Sequence, residues 1–274
     1  MPQHRALHQI KSQADLQKVR DDDPYFSGTL AKGLMILQCF VQDPRAHANS
    51  ELSERLGLPR PTVSRLCRSL QTLGFLDHDD RLDRYFIGPA ALTLGYPYVV
   101  NMPFITQLRP AMQSMADRFE GAVSVGVAMD LDVVYVESCA YARGTLMRPA
   151  VGAMRGIMET AMGRSWLSQH TATERTEFLA RAKQARPDEF NRSSEGFKDS
   201  VSQYPKRGFA INIGDAGMGI LAAGVASKIH YGPRNLLFNC AVPGYRANQK
   251  DVLKTIGPAL VQLVNMANRQ VNQR

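Results

Sequence analysis

The chain has 274 residues, 44% hydrophobic and 21% charged, which exceeds the usual single domain of about 100–150 residues and suits two packed cores. No apolar run approaches the ~20 residues that cross a bilayer; the longest, AGMGILAAGVAS at 216–227, reads as a buried strand. The net charge of +8 suggests a polyanionic partner, yet residues 27–95 hold eight basic side chains against seven acidic ones. Global charge therefore marks no nucleic-acid-binding segment, and local placement has to.

Residues 1–26 are polar and mixed in charge, lack the apolar core of a signal peptide, and end at the breaker DDDP (21–24). They read as a flexible arm, with the cytoplasm as the expected location. From Thr29 the residues Leu30, Leu34, Ile36, Leu37 and Phe40 recur near helical spacing, which predicts a helix to about residue 42. A loop at DPRAHA (43–48) follows. SELSERLG (50–57) then predicts a short helix with Ser50 as N-cap, Glu51 and Glu54 in its first turn, Leu52 and Leu56 buried, and Gly57 as its stop.

The stretch LPRPTVSRL opens a third helix over 61–74, with Val63, Leu66, Leu70 and Leu73 as its buried stripe. A residue before proline is pushed toward extended backbone, so Arg60 should lie outside the helix and Pro61 should start it. The N–H groups of Thr62 and Val63 would then be free as an anion site. Residues 60–74 hold three arginines and no acid. Arg60, Thr62, Ser64, Arg65, Arg68 and Ser69 lie off the apolar stripe, the donor set that phosphate oxygens and guanine edges require. FLDHD and RYFIG, joined by DRLD (80–83), predict a β-hairpin whose Arg81 and Arg84 could reach DNA, among acids at 77, 79, 80 and 83. Three helices and a hairpin over 27–88 make a winged helix-turn-helix, followed by a linker at 89–102.

In residues 103–274, helical patterns are expected at 102–119, 159–170, 174–184, 188–203 and 249–272. Strands are expected at 122–129, 133–138, 217–226 and 235–241. This interleaving without βαβ alternation predicts an α+β sheet domain. The sequence has no HExxH, GxSxG or P-loop, and GDAGMG (214–219) lacks dinucleotide-binding spacing. The six histidines do not cluster in sequence, and Cys39, Cys67, Cys139 and Cys240 form no CxxC pair. The cysteines read as buried reduced thiols, and no catalytic residue, metal or cofactor is called for. An enzyme or a protein-interaction scaffold carrying a winged helix is the alternative to a DNA-binding regulator.

The segments SELSERLGLPRPTVSRLCRSLQTLGFL, RYFIGPAALTLG, VGAMRGIMETAMGRS (151–165) and KRGFAINIGD (206–215) resemble the IclR family of bacterial transcription regulators, over about residues 27–272. LTLGYPYVV is loosely similar to the subgroup governing aromatic-acid catabolism. Gly156 stands where the family usually has proline, and Asp215 where glutamate is common. The resemblance implies a C-terminal GAF-like effector-binding and oligomerisation domain, and a homodimer or homotetramer on a palindromic operator of double-stranded DNA, responsive to a small organic acid. Carried onto this chain, it places Ala161, Met162, Asp215, Ile220, Asn239 and Ala241 around the effector, with Arg148 or Arg155 as cations for its carboxylate.

Overall fold

The computed structural model describes residues 13–143, 149–214 and 219–272 and divides the chain into two compact units between Asn101 and Met102. The first unit contains α1 (Gln13–Asp22), α2 (Gly28–Gln42), α3 (Asn49–Leu56), α4 (Arg60–Thr72), β1 (Leu76–Asp79), β2 (Arg84–Ile87) and α5 (Ala90–Val100). Its core joins Leu16 of α1 to Met35, Ile36, Leu52, Leu56, Val63, Leu66, Cys67 and Leu76, with Val19 and Phe26 packed against it. Part of the N-terminal arm is therefore helical, with Leu16 buried and Val19 and Phe26 packed beside it.

Several element details depart from the sequence expectation. In α2 the buried face runs through Ala31, Met35, Ile36, Cys39 and Phe40, while Leu30 is 64% exposed. Ser27 caps that helix by accepting the Leu30 N–H. Helix α3 starts one residue earlier than read, with Ala48 at the N-cap, so Ser50 is not the cap. The Glu51 carboxylate takes the Ala48 N–H instead, at 2.9 Å. Gly57 closes α3 in the left-handed region at φ 63°, and Leu58 turns inward to 2% exposure. Strands β1 and β2 pair from Leu76 opposite Ile87 to Asp79 opposite Arg84, with the loop 80–83 as their tip. The linker is largely the helix α5, in keeping with the linker helix that the family resemblance implies, and that helix buries no residue.

The second unit is built on a six-stranded antiparallel sheet in the order β5-β4-β3-β8-β7-β6. Its strands are β3 (Ala122–Met129), β4 (Asp132–Ala140), β5 (Met154–Gly156), β6 (Ala210–Ile213), β7 (Ile220–Tyr231) and β8 (Arg234–Pro243). The helices are α6 (Pro103–Phe119), α7 (Ala161–Leu167), α8 (Ala172–Ala185), α9 (Pro187–Arg207), α10 (Gln249–Asp251) and α11 (Gly257–Asn272), with a π-helical turn at Val252–Ile256. The short strands β5 and β6 have no counterpart in the sequence reading.

One face of the sheet carries Val133, Tyr135, Ala226 and Leu237 into a core with Met162, Leu167, Phe178 and Phe197 from α7, α8 and α9. The opposite face meets α6, where the Cys139 thiol approaches the Arg109 carbonyl at 3.8 Å. The junction of α8 and α9 is pinned by Arg186, which donates to both Asp132 carboxylate oxygens at 2.7 and 2.6 Å and to Glu189 at 3.2 Å. A Cβ at Gly156 would meet that Glu189 carboxylate, the end of a side chain that Arg186 holds. All four cysteines are free and buried, and burial pushes the thiols of Cys67 and Cys240 up to about 12. Among the described residues no helix is long and apolar enough to cross a membrane, and no cluster could hold a metal ion.

Candidate nucleic-acid interface and effector pocket

Pro59, with φ −57°, occupies the N-cap of α4, Arg60 is the first helical residue and Pro61 the second. The expected free amides are not free: the N–H groups of Thr62 and Val63 both donate to the Pro59 carbonyl, at 2.9 and 3.1 Å. The helix therefore begins one residue earlier than proline geometry alone implies. Its tip presents side chains rather than a cluster of backbone donors.

Those side chains divide by whether the fold has already engaged them. Arg60, Ser64, Arg65, Arg68 and Ser69 are exposed and Thr62 is half-buried, whereas Val63, Leu66 and Cys67 face the core. Leu73, expected in the buried stripe, is 65% exposed, and Cys67 packs instead. The guanidinium groups of Arg60, Arg65 and Arg68 have no hydrogen bond or ion pair among the described residues. Ser64 accepts the Asn49 side-chain N–H at 2.9 Å, so α3 fixes the hydroxyl of α4. The Ser69 hydroxyl donates back to the Arg65 carbonyl at 3.0 Å. Residues 60, 64 and 68 fall four apart on one helical face, beside the pair 65 and 69.

Both arginines of the hairpin were expected to reach outward, and they diverge. Arg81 is exposed at the tip. Arg84 is tied inward, to Glu51 at 2.9 Å and the Ala46 carbonyl at 3.2 Å. Glu51 also takes Arg45 at 3.2 Å. The Ala48 N–H, then Arg84 and Arg45, hold the Glu51 carboxyl down to about 2. This pairing spans 33 positions, so nothing local in the sequence announces it.

In the second unit, helix α7 lies directly on the sheet. Thr160 caps it by accepting the Gly163 N–H at 3.0 Å. A Cβ at Gly224 would overlap the Ala161–Met162 peptide, and one at Gly126 would touch the Met162 sulfur at 3.0 Å. Arg164 is wholly buried and structural, its guanidinium donating to the Met158 and Ile211 carbonyls at 2.7 and 2.8 Å.

Beside this contact, strand register sets Asn239 opposite Ser124 on one side and Gly224 on the other, with Ala241 between Ala122 and Ala222. The Ser124 and Ser138 hydroxyls bond each other at 2.9 Å, and the Asn239 side-chain carbonyl is buried without a partner. The sheet thus brings Asn239 and Ala241 to the face that carries Ala161 and Met162. Ile220, paired with Pro243, lies half-buried at the start of β7. Arg155 is on the exposed edge strand β5. Arg148 and Asp215 lie outside the described residues. Ser124 and Ser138 were not singled out from the sequence, although a serine inside the apolar strand AVSVGVAM was the available signal.

A winged helix whose third helix carries arginines without an ion pair among the described residues, followed by an α+β sheet domain, defines a two-domain DNA-binding protein. Residues 29–80 match the IclR helix-turn-helix domain and residues 96–269 the bacterial transcriptional regulator IclR C-terminal domain. The chain belongs to the IclR family of bacterial transcriptional regulators, and is not an enzyme.

Among its relatives, the HTH-type transcriptional regulator TsaQ1/TsaQ2 of Comamonas testosteroni is 26% identical over 241 residues, covering 86% of this chain and 85% of that one. The Pca regulon regulatory protein of Pseudomonas putida is 30% identical over 161 residues, 58% of this chain and 55% of that one. An IclR family transcriptional regulator from Brucella abortus superposes with a TM-score of 0.85 at 27% identity, over 98% of this chain and 100% of the other. An IclR homolog from Microbacterium hydrocarbonoxydans, solved with 4-hydroxybenzoate, shares the fold with a TM-score of 0.67 at 16% identity, over 88% and 99% of the chains.

Proposed function

We propose that the protein is a cytoplasmic, ligand-responsive regulator of a catabolic operon, sensing a small organic acid of the aromatic type. The observation that carries the sensing half is the Asn239 amide, buried with an unpartnered carbonyl beside the Ser124–Ser138 hydroxyl pair. A buried acceptor without a donor costs about 1–3 kcal/mol, which a bound hydroxyl or protonated acid would relieve. The amide N–H₂ is a donor that a carboxylate or phenol needs, and it stands beside the bonded serine pair. The aromatic class is supported by the 4-hydroxybenzoate held by one fold relative.

On the DNA side, Arg60, Arg65 and Arg68, with Thr62, Ser64, Ser69 and Arg81, are the proposed contacts. Arg84 acts through Glu51 as a positioning residue. Two copies related by a two-fold axis would set their α4 helices in major grooves about one DNA turn apart on a palindromic operator. Pairing of copies is supported by an apolar stripe on α5, where Leu92, Tyr96 and Val100 recur every four residues at 80%, 65% and 50% exposure. Coupling of ~1–3 kcal/mol between effector and operator sites suffices for regulation.

The test is selection of bound DNA from a random pool, repeated with 4-hydroxybenzoate and with benzoate, on the native chain and on Asn239→Leu. The expected outcome is one palindromic site whose affinity shifts at least fivefold with an aromatic acid. The shift should vanish in Asn239→Leu while affinity without ligand stays the same. An unchanged effector titration in that variant removes Asn239 from the pocket.

A further inference from the structure

A concavity of about 730 Å³ opens at the C-terminal end of α7, against the β7–β8 hairpin. Its wall is the chain's single tryptophan, Trp166, with the His170 ring tilted against it at a centroid distance of 4.1 Å. Around them stand Lys228, His230, Arg234 and Asn235. A bulge in β7 between Ala226 and His230 shapes this rim, with Ser227 turned in and accepting the Ile229 N–H at 3.1 Å. Asn235 donates to the Gln169 side-chain carbonyl at 3.1 Å, which ties the end of α7 to the hairpin and fixes the concavity.

The chemistry left over inside is nearly all of one kind. Each histidine uses Nδ1 on a backbone carbonyl, His170 on Trp166 at 3.0 Å and His230 on Lys228 at 2.9 Å, which leaves both Nε2 atoms uncommitted. Arg234 gives one nitrogen to the Ala128 carbonyl and keeps the rest of its guanidinium. The Lys228 ammonium and the Trp166 indole N–H have no partner among the described residues. The one carboxylate of the lining, Glu174, already accepts the Thr171 N–H and hydroxyl at 2.8 and 2.9 Å. The concavity therefore offers two fixed cations beside one hydrogen-bonded carboxylate, an indole donor, two imidazoles and an aromatic wall, at a volume typical of small-ligand sites.

We propose that this concavity is a second ligand site, distinct from the pocket at the start of α7, for a planar organic anion. The ring would stack on Trp166 and His170, with the anionic group toward Lys228 and Arg234. The inference stands on these residues and does not require the effector reading of Asn239.

Trp166 is the only indole, so its fluorescence reports the site directly. The experiment titrates benzoate, cyclohexanecarboxylate and inorganic phosphate into the intact Asn239→Leu protein, where the other pocket is blocked. Benzoate should quench or shift the emission saturably, and more strongly than either probe lacking an aromatic ring. Lys228→Glu should weaken benzoate at least tenfold with far-UV dichroism unchanged, Lys228 being a solvent-exposed side chain. Calorimetry on Trp166→Phe, which keeps an aromatic wall, should retain benzoate binding. Absence of saturable change in Asn239→Leu, indifference to Lys228→Glu, or an equal response to cyclohexanecarboxylate would each overturn the proposal.

Discussion

At Glu51 a single carboxylate receives the Ala48 N–H and the guanidinium groups of Arg84 and Arg45, joining the start of α3, the loop before it and the hairpin. Its folded value of about 2 lies below the ordinary 4.5, so the unfolded chain takes up the proton first. The stability it contributes is fully present above about 4.5 and is lost as pH falls through about 2. Glu51→Gln should therefore lower the urea midpoint near pH 6, and the gap from the native chain should close as the pH approaches 2. A gap that stays constant down to pH 2 would show that the charge of Glu51 contributes nothing. Gly224 is the matching case in the second unit. Gly224→Ala sets a methyl group against the Ala161–Met162 peptide, and should cost about 1–3 kcal/mol of stability by overpacking. Thermal unfolding checks this directly.

Among elements, α4 and the hairpin separate two kinds of arginine. Arg65→Ala removes a side chain that none of the described residues engages, and should abolish specific operator binding while leaving thermal stability within about 0.5 kcal/mol. Arg84→Ala cuts the tie to Glu51 and should lower stability first. A gel-shift titration beside a melting curve distinguishes the two, and equal losses of operator affinity would refute the distinction. Element identity was legible where periodicity was strong: the third helix, the hairpin and the pair β3–β4 stand within two residues of the sequence reading, or less. It failed where the signal is short or ambiguous. Strands β5 and β6 have three and four residues, too few for a period to emerge. In α2 leucines occupy both sides of the helix, and only tertiary packing selects Met35 over Leu30. At Arg84 composition suggested an outward cation, because its partner lies far along the chain.

For the whole molecule, placement of charge matters more than its sum. The first domain is nearly neutral overall, and its available cations are concentrated on α4 because Glu51 and Asp43 consume Arg84, Arg45 and Arg55 elsewhere. The α5 stripe proposed to pair two copies is apolar. Leu92→Glu would put a charge in the α5 stripe and should shift the protein toward monomer in sedimentation, with operator binding becoming steeply dependent on protein concentration. Unchanged sedimentation would exclude α5 from self-association. What the sequence could not carry at this scale was the proposed effector site, since Ser124, Ser138 and Asn239 meet only through strand register and lie more than a hundred positions apart at their widest.

The pair of prolines at 59 and 61 has a thermodynamic corollary. With φ preset at both positions and the Pro59 carbonyl already holding the amides of residues 62 and 63, the first turn of α4 is in its final shape before DNA arrives. The ordering entropy of that turn is spent when the chain folds and not when it docks. Operator association should then lack the heat-capacity signature of a segment that folds on its target, and the slow-exchanging amides of α4 should be the same in the free and DNA-bound protein.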